Sequence, residues 1–377
     1  MKKKLITFIV CMLIICVSGC STDKVILPGQ KEVTDKTIKD IFAAHGMKAG
    51  TCVSSYVIDN TSTAGLILDQ FNSVTMENAM KPDYILNQDK SKSTGVLTVE
   101  YNQEAISILK WARDNNLSMR GHTLIWHSQT PEWIFHNGFE ESGALVSRDE
   151  MLKRMEALIK GNFEELKRLG YIDLFYAYDV VNEAWTDEGN LRESNWSRLI
   201  GDDYLWYAFY YADKYAPQTI DLYYNDYNQQ YKTDTITEFV KTLKADDGRS
   251  LIDGIGLQAH LFTADDLTKY LAAVDKLAKT GLKLQLTEVD IGLGNYENPR
   301  SDTNEDLQMQ GRFYYELMKG LFERADAGKI NIDAVTFWGF TDAFSWRREY
   351  SPQLYDTELH PKYALYGVMQ IKQYAGY

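Results

Sequence analysis

The chain has few of the residues that build metal centres, disulfides or nucleotide sites. Four cysteines are spread over 377 residues, with no Cys-x-x-Cys pair. The six histidines stand apart at positions 45, 122, 127, 136, 260 and 360, and there is no His-Glu-x-x-His helix. No glycine-rich phosphate loop occurs either, so neither a metal nor a nucleotide cofactor is expected. Positive charge is also short: 40 Lys and Arg face 53 Asp and Glu, for a formal net charge of −13. A protein that grips nucleic acid needs basic stripes, and that partner is set aside. Only seven prolines are present, and no Ser/Pro-rich linker, internal repeat or second core divides the chain.

Long apolar runs are missing as well, apart from one at the start. Met1 to Lys4 is basic, Leu5 to Val17 is apolar over 13 residues, and Val17-Ser18-Gly19-Cys20 offers small residues before a cysteine. That run is too short to span a hydrocarbon layer of about 30 Å. The pattern resembles a bacterial lipoprotein signal, which implies cleavage before Cys20 and lipidation there. An ordinary secretory signal and a retained anchor are the competing readings. Residues 1–19 are thus expected to be a signal peptide and 20–32 a lipidated cysteine with a polar tether, leaving residues 33–377 to fold. Losing Lys2, Lys3 and Lys4 would move the formal charge from −13 to −16. Cys11 and Cys16 would leave with the signal and Cys20 would be acylated, so Cys52 is expected to be a buried thiol without a disulfide. The expected location is the bacterial envelope or cell surface, with membrane contact only through Cys20. A monomer is expected.

Aromatic residues are plentiful: 25 Tyr, 15 Phe and 8 Trp make up 13% of the chain. Such a surplus suits a protein that lays rings against flat ligands such as sugars. From about Val33 onward, strand-like and helix-like segments alternate. Strands are expected at 49–54, 73–76, 118–126, 174–181, 220–224, 254–258, 283–287 and 334–338. Helical spacing marks 102–115, 148–169, 233–244, 265–280 and 305–327. Eight β/α units without a glycine-rich first turn predict one closed (β/α)8 TIM barrel, a single catalytic domain, in preference to an open sheet.

In such a barrel the C-terminal strand ends open onto one face, where polar residues read as functional. Phe175 to Trp185 is an aromatic and aliphatic strand that runs into Asn182-Glu183, and Leu282 to Asp290 closes on Glu288. Either glutamate alone could simply start a loop or pair with a surface lysine. Four further strand ends change the balance: Glu77-Asn78-Ala79-Met80-Lys81, His122 to Gln129, Gln258-Ala259-His260, and Trp338 followed by Trp346. Six polar or aromatic ends on one face define a pocket.

Taken together, NSVTMENAMK, RGHTLIWHSQTPEW, YAYDVVNEAW, YNDYN, GIGLQAHL, LTEVDI and FWGFTDAFSW resemble glycoside hydrolase family 10, the retaining endo-β-1,4-xylanases. These segments span residues 72–346. The resemblance implies that Glu183 is the general acid/base, Glu288 the nucleophile, and xylan with its oligosaccharides the partner. It implies further that Asn182 bonds a sugar 2-hydroxyl and that Glu77, Asn78 and Lys81 bind hydroxyls on the glycone side. By the same likeness His122, Trp126 and Gln129 complete that pocket, and Gln258 lines the cleft near the nucleophile. Trp338 and Trp346 form an aromatic wall, while Asn225 and Tyr227 face the aglycone side. The chemistry agrees, since retaining hydrolysis needs one protonated and one ionised carboxyl group in different surroundings. Trp185 beside Glu183 is expected to desolvate it. His260 is expected to hold Glu288 ionised, with Asp290, two residues further along the strand, orienting that ring. Phe337, Ala343-Phe344 and Tyr363 depart from the usual pattern, which bears on subsite detail and not on the glutamate pair. Two alternatives stay open: a β-1,4-glucanase on the same barrel, and a non-catalytic glycan-binding surface lipoprotein.

Overall fold

The computed structural model describes residues 25–377, so the expected signal peptide and Cys20 lie outside the described residues. Eight parallel strands close on themselves: β1 Lys48–Val53, β2 Ser73–Met76, β3 Ser118–Gly121, β4 Phe175–Asn182, β5 Asp221–Asp226, β6 Gly254–Leu257, β7 Lys283–Gly292 and β8 Ile332–Phe337. Each pairs with the next, and β8 pairs with both β7 and β1, which completes the barrel. Nearly every strand residue is buried, as expected where helices cover the outside and side chains fill the inside.

Among the helices that surround or cap the strands are α1 Ile38–Ala44, α2 Thr61–Gln70, α3 Gln103–Asp114, α4 Arg148–Leu169, α5 Tyr204–Tyr215, α6 Gln229–Thr242, α7 Leu267–Ala278, α8 Asn304–Asp326 and α9 Tyr363–Val368. Their limits follow from local chemistry. Ser147 accepts a hydrogen bond from the Glu150 N–H and starts α4, and Gly170 ends it in the left-handed region at φ 80°. α2 and α5 carry no clear helical signal. The first mixes Thr, Ser and Gly into its early turns, and the second is aromatic on most of its faces.

Two strands differ from expectation at the ends that matter. The segment expected to run unbroken over 118–126 stops at Gly121 and resumes as Ile125–Trp126 beside β4. The cause is Asp179 on β4, whose carbonyl accepts from the Leu124 N–H at 3.0 Å and the Thr123 hydroxyl at 3.0 Å. Conversely, β7 runs five residues past its expected end at Thr287. Its extra length is paired by His260–Phe262, which rejoins the sheet alongside Asp290–Gly292. Ala259, at φ 62°, makes the turn between β6 and that short strand.

The barrel interior is partly ionic. Arg120 is fully buried, forms a double hydrogen bond to Asp179, and donates Nε to Gln285 at 2.8 Å. His122 Nδ1 lies 2.9 Å from the same carboxylate. Phe337 sits in the apolar core against Phe42, Phe71 and Tyr314. Tyr363 is buried at the start of α9 and donates its hydroxyl to Asn304.

Candidate active site

The strand ends line one cleft of about 560 Å³. Glu77, Asn78, Lys81, His122, Trp126, Gln129, Asn182, Glu183, Tyr227, Gln258, His260, Glu288, Trp338 and Trp346 all face it. β4 delivers Glu183 in a left-handed conformation, φ 55°, which is uncommon for a residue with a Cβ and needs support. Three bonds give that support. The Glu183 N–H donates to the Asn225 carbonyl at 2.9 Å, its carbonyl accepts Arg192 Nε at 3.1 Å, and the next N–H, of Ala184, donates to the Tyr224 hydroxyl at 3.1 Å. The carboxylate is half-buried, and both its oxygens accept hydrogen bonds: Oε2 from Trp126 Nε1 and Oε1 from Gln258 Nε2, each at 2.9 Å.

Glu288 has different company. Asn225 Nδ2 donates to its Oε1 at 2.7 Å, and His260 Nε2 lies 3.2 Å from its Oε2. Burial alone would raise this carboxyl group. The electrostatic pull of His122 and the hydrogen bonds from His260 and Asn225 outweigh it and hold the group at about 2. His260 moves in the opposite direction. Burial would lower it, yet Asp290 and then Glu288 carry it up to about 9. Its Nδ1 lies 3.0 Å from Asp290 Oδ1, an ion-pair contact without hydrogen-bond alignment. Asp290 is fixed in turn by Trp346 Nε1 at 3.0 Å and by the buried Arg347 guanidinium.

At the other end of the cleft Lys81 donates to Asn78 Oδ1 at 2.9 Å and to Gln129 Oε1 at 2.7 Å, and it sits 5.0 Å above the Trp126 ring. Burial lowers the Lys81 ammonium and raises the Glu77 carboxyl, each opposed by the charge of the other. Trp338 is buried with its edge toward His122, whereas Trp346 is 52% exposed and covers His260.

Two residues, Asn225 and Trp185, stand elsewhere than expected. Asn225 does not face the cleft: it is fully buried, with Nδ2 shared between Asn182 and Glu288 and Oδ1 accepting from Thr287. Gln258 lines the cleft beside the nucleophile as expected, its carbonyl accepting the Glu288 N–H, and its side chain in addition bonds the carboxylate of Glu183. Trp185 turns away to pack on Phe239, and the ring that contacts Glu183 is Trp126. Tyr227 faces the cleft with its hydroxyl tied to Arg192. Asn182 has its Oδ1 occupied by Asn225 and Gln258, while its buried Nδ2 has no partner among the described residues.

Some contributors lacked a readable signal. Tyr296 and Asn228 also line the cleft, and both come from loops whose path composition does not reveal. Arg347 and Arg192 are two arginines among many until the fold places them. Away from the cleft, Asp356, Glu358 and His360 form the one trio of metal-ligating types among the described residues whose ligand atoms lie within 4.8 Å. Asp356 there accepts the N–H groups of Glu358 and His360, which closes a turn. Cys52 is a buried free thiol. Among the described residues no helix is long and apolar enough to cross a membrane.

The chain is similar to known proteins. Endo-1,4-beta-xylanase B of Butyrivibrio fibrisolvens is 36% identical over 338 residues, covering 86% of this chain and 51% of that protein. The chain thus spans about half the length of that relative. Endo-1,4-beta-xylanase A of Caldicellulosiruptor saccharolyticus is 34% identical over 353 residues, covering 89% of this chain and 94% of the relative. Among solved structures, the CBM22-1 and GH10 modules of the Clostridium thermocellum endo-1,4-beta-D-xylanase 10B, in complex with xylohexaose, superpose with a TM-score of 0.80 at 36% identity. They cover 89% of this chain and 67% of that one. With residues 37–371 matching Glycosyl hydrolase family 10, the chain belongs to that family.

Proposed function

We propose that this chain is an endo-β-1,4-xylanase that cleaves internal xylosidic bonds with retention. The observation that carries the reading is the contrast between the two glutamates: Glu288 is buried and held at about 2, whereas Glu183 is half-buried with its oxygens on donors at the cleft surface. A retaining glycosidase needs an ionised carboxylate to attack the anomeric carbon and a second group to protonate the leaving oxygen. Glu288 is the nucleophile. Glu183 is the acid, and after the sugar is attached to Glu288 it takes the proton from the incoming water. Asn182 Nδ2, buried and unpartnered among the described residues, donates to the sugar 2-hydroxyl. Glu77, Asn78, Lys81 and Gln129 bind glycone hydroxyls, and Trp338 and Trp346 wall the space beside C5, where a hydroxymethyl group would clash. His260 and Asp290 keep Glu288 charged.

The N-terminal pattern supports export and lipid attachment at Cys20 of a monomeric catalytic domain, with a tether shorter than the expected 20–32, because Gln30–Val33 is helical, Gln30 is buried and the Tyr366 hydroxyl donates to the Pro28 carbonyl. The test of activity is product analysis of residues 21–377 on unsubstituted β-1,4-xylan and on carboxymethyl cellulose. A ladder of short xylo-oligosaccharides from xylan alone is expected. Cleavage mainly of the glucan would assign the site to a glucanase, and no cleavage of either would leave a binding protein.

A further inference from the structure

Two aromatic side chains that the site has not used meet beside a small recess that shares Glu77 with the cleft. Tyr56 belongs to the short helix Ser55–Asp59 that follows β1, and Phe344 to the turn Asp342–Phe344 that follows β8. Because β8 and β1 are neighbours in the closed barrel, these two loops rise side by side on the catalytic face. The rings meet edge to face at 4.9 Å and 65°. Tyr56 is 61% exposed and Phe344 half-buried, so one ring supports and the other is presented.

A single exposed tyrosine means little, since scattered surface aromatics are normal. Here the position is what counts. Ser54, Glu77, Gly339 and Phe344 line a small recess, and Glu77 also lines the main cleft. The Glu77 N–H donates to the Val53 carbonyl at 2.9 Å, which fixes the end of β2 against the end of β1. The helix that carries Tyr56 is fixed too: Glu104 accepts from the Ser55 N–H at 3.2 Å and from its hydroxyl at 3.1 Å. The Tyr56 and Phe344 rings are thus held next to the recess that borders Glu77.

We propose that Tyr56, backed by Phe344, forms a distal glycone subsite that stacks against a third xylose unit beyond those held near Glu77 and Lys81. The inference rests on the xylanase reading above. A pyranose ring presents C–H groups on its face, and an aromatic ring binds that face without needing a fixed hydroxyl pattern. The subsite therefore favours longer chains and adds no requirement for decoration.

The test compares kcat/KM on an aryl β-xylotrioside with that on an aryl β-xylobioside, whose sugars stop short of Tyr56. In the native protein the trioside is expected to be the better substrate. Tyr56→Ala and Phe344→Ala are expected to lower the trioside-to-bioside ratio by about five- to tenfold, whereas Tyr56→Phe retains it because the ring face does the binding. The ratio is independent of the fraction of folded enzyme, so partial misfolding does not mimic the effect. A native ratio kept by Tyr56→Ala overturns the subsite alone. A native protein inert on both glycosides overturns the hydrolase reading, and the subsite falls with it.

Discussion

At the scale of single residues, the two glutamates sort themselves by what donates to them. Glu288 receives a buried amide and an imidazole, and Glu183 receives an indole and an amide at the cleft surface. For Glu183 to act as an acid it must present a proton to the leaving oxygen, which matters only when that oxygen is a poor leaving group. Glu183→Ala is therefore expected to reduce xylan turnover by at least ~100-fold while sparing aryl glycosides with activated leaving groups. Steady-state kinetics on both substrates checks this, and equal loss on the two would remove Glu183 from the acid role.

His260 and Glu288 form a linked pair with opposite displacements, about 9 and about 2. The raised histidine contributes stability that is complete below its unfolded value and is lost as pH rises through about 9. The depressed glutamate contributes stability that is present above its unfolded value and is lost as pH falls through about 2. Asp290 is the main charge raising His260, so Asp290→Asn is expected to lower the histidine's titration midpoint and narrow the alkaline side of the stability profile. NMR titration of the His260 ring measures the shift directly. A midpoint unmoved from that of the native protein would mean that Glu288 alone holds the imidazolium.

At the scale of elements, strands were easier to read than the side on which their polar residues fall. Phe175 to Asn182 and Lys283 to Thr287 were legible because apolar runs end abruptly in polar residues, which made the two glutamates candidates; the four other polar strand ends and the family resemblance gave them their roles. Asn225 was not legible in the same way. The run Tyr-Asn-Asp-Tyr-Asn says that polar side chains alternate with aromatic ones, not which of them meets a neighbouring strand. Register decides it: Asn182, Asn225 and Gly256 stand abreast on β4, β5 and β6. The glycine makes the room, since a Cβ there would lie 2.4 Å from Asn225 Oδ1 and 2.9 Å from a methyl of Thr287. Neither neighbour can move without breaking the bond to Glu288 or the one between them. Gly256→Ala is accordingly expected to cost about 1–3 kcal/mol of stability by overpacking, and to lower kcat on xylan more than it raises KM. Urea unfolding together with kinetics tests both parts; a kcat equal to the native value would show that Asn225 does not position the nucleophile. The break after Gly121 was hidden for a related reason, because the Asp179 carbonyl that captures Thr123 and Leu124 lies on another strand.

At the scale of the whole molecule, the cleft stands on an ionic core. The barrel is closed beneath the site by Arg120, Asp179 and Gln285, all fully buried, and Asp179 also carries His122 at the cleft floor. An apolar core of the same volume would fold as well or better, because taking these charges out of water offsets most of their attraction. What the pair supplies here is position: Asp179 receives the guanidinium and the imidazole while its backbone holds the chain after β3, so one residue aligns His122 with the ends of β3 and β4. The energetic consequence is asymmetric. Arg120→Met leaves Asp179 buried with only His122 to compensate it, and is expected to lower stability by about 3–5 kcal/mol in urea unfolding. Adding Asp179→Leu removes the stranded charge and should recover part of that loss without restoring activity, since His122 is then unanchored. If Arg120→Met proves as stable as the native protein, the charges are not buried in solution as they are here, and the alignment of His122 must come from the covalent path of β3 alone.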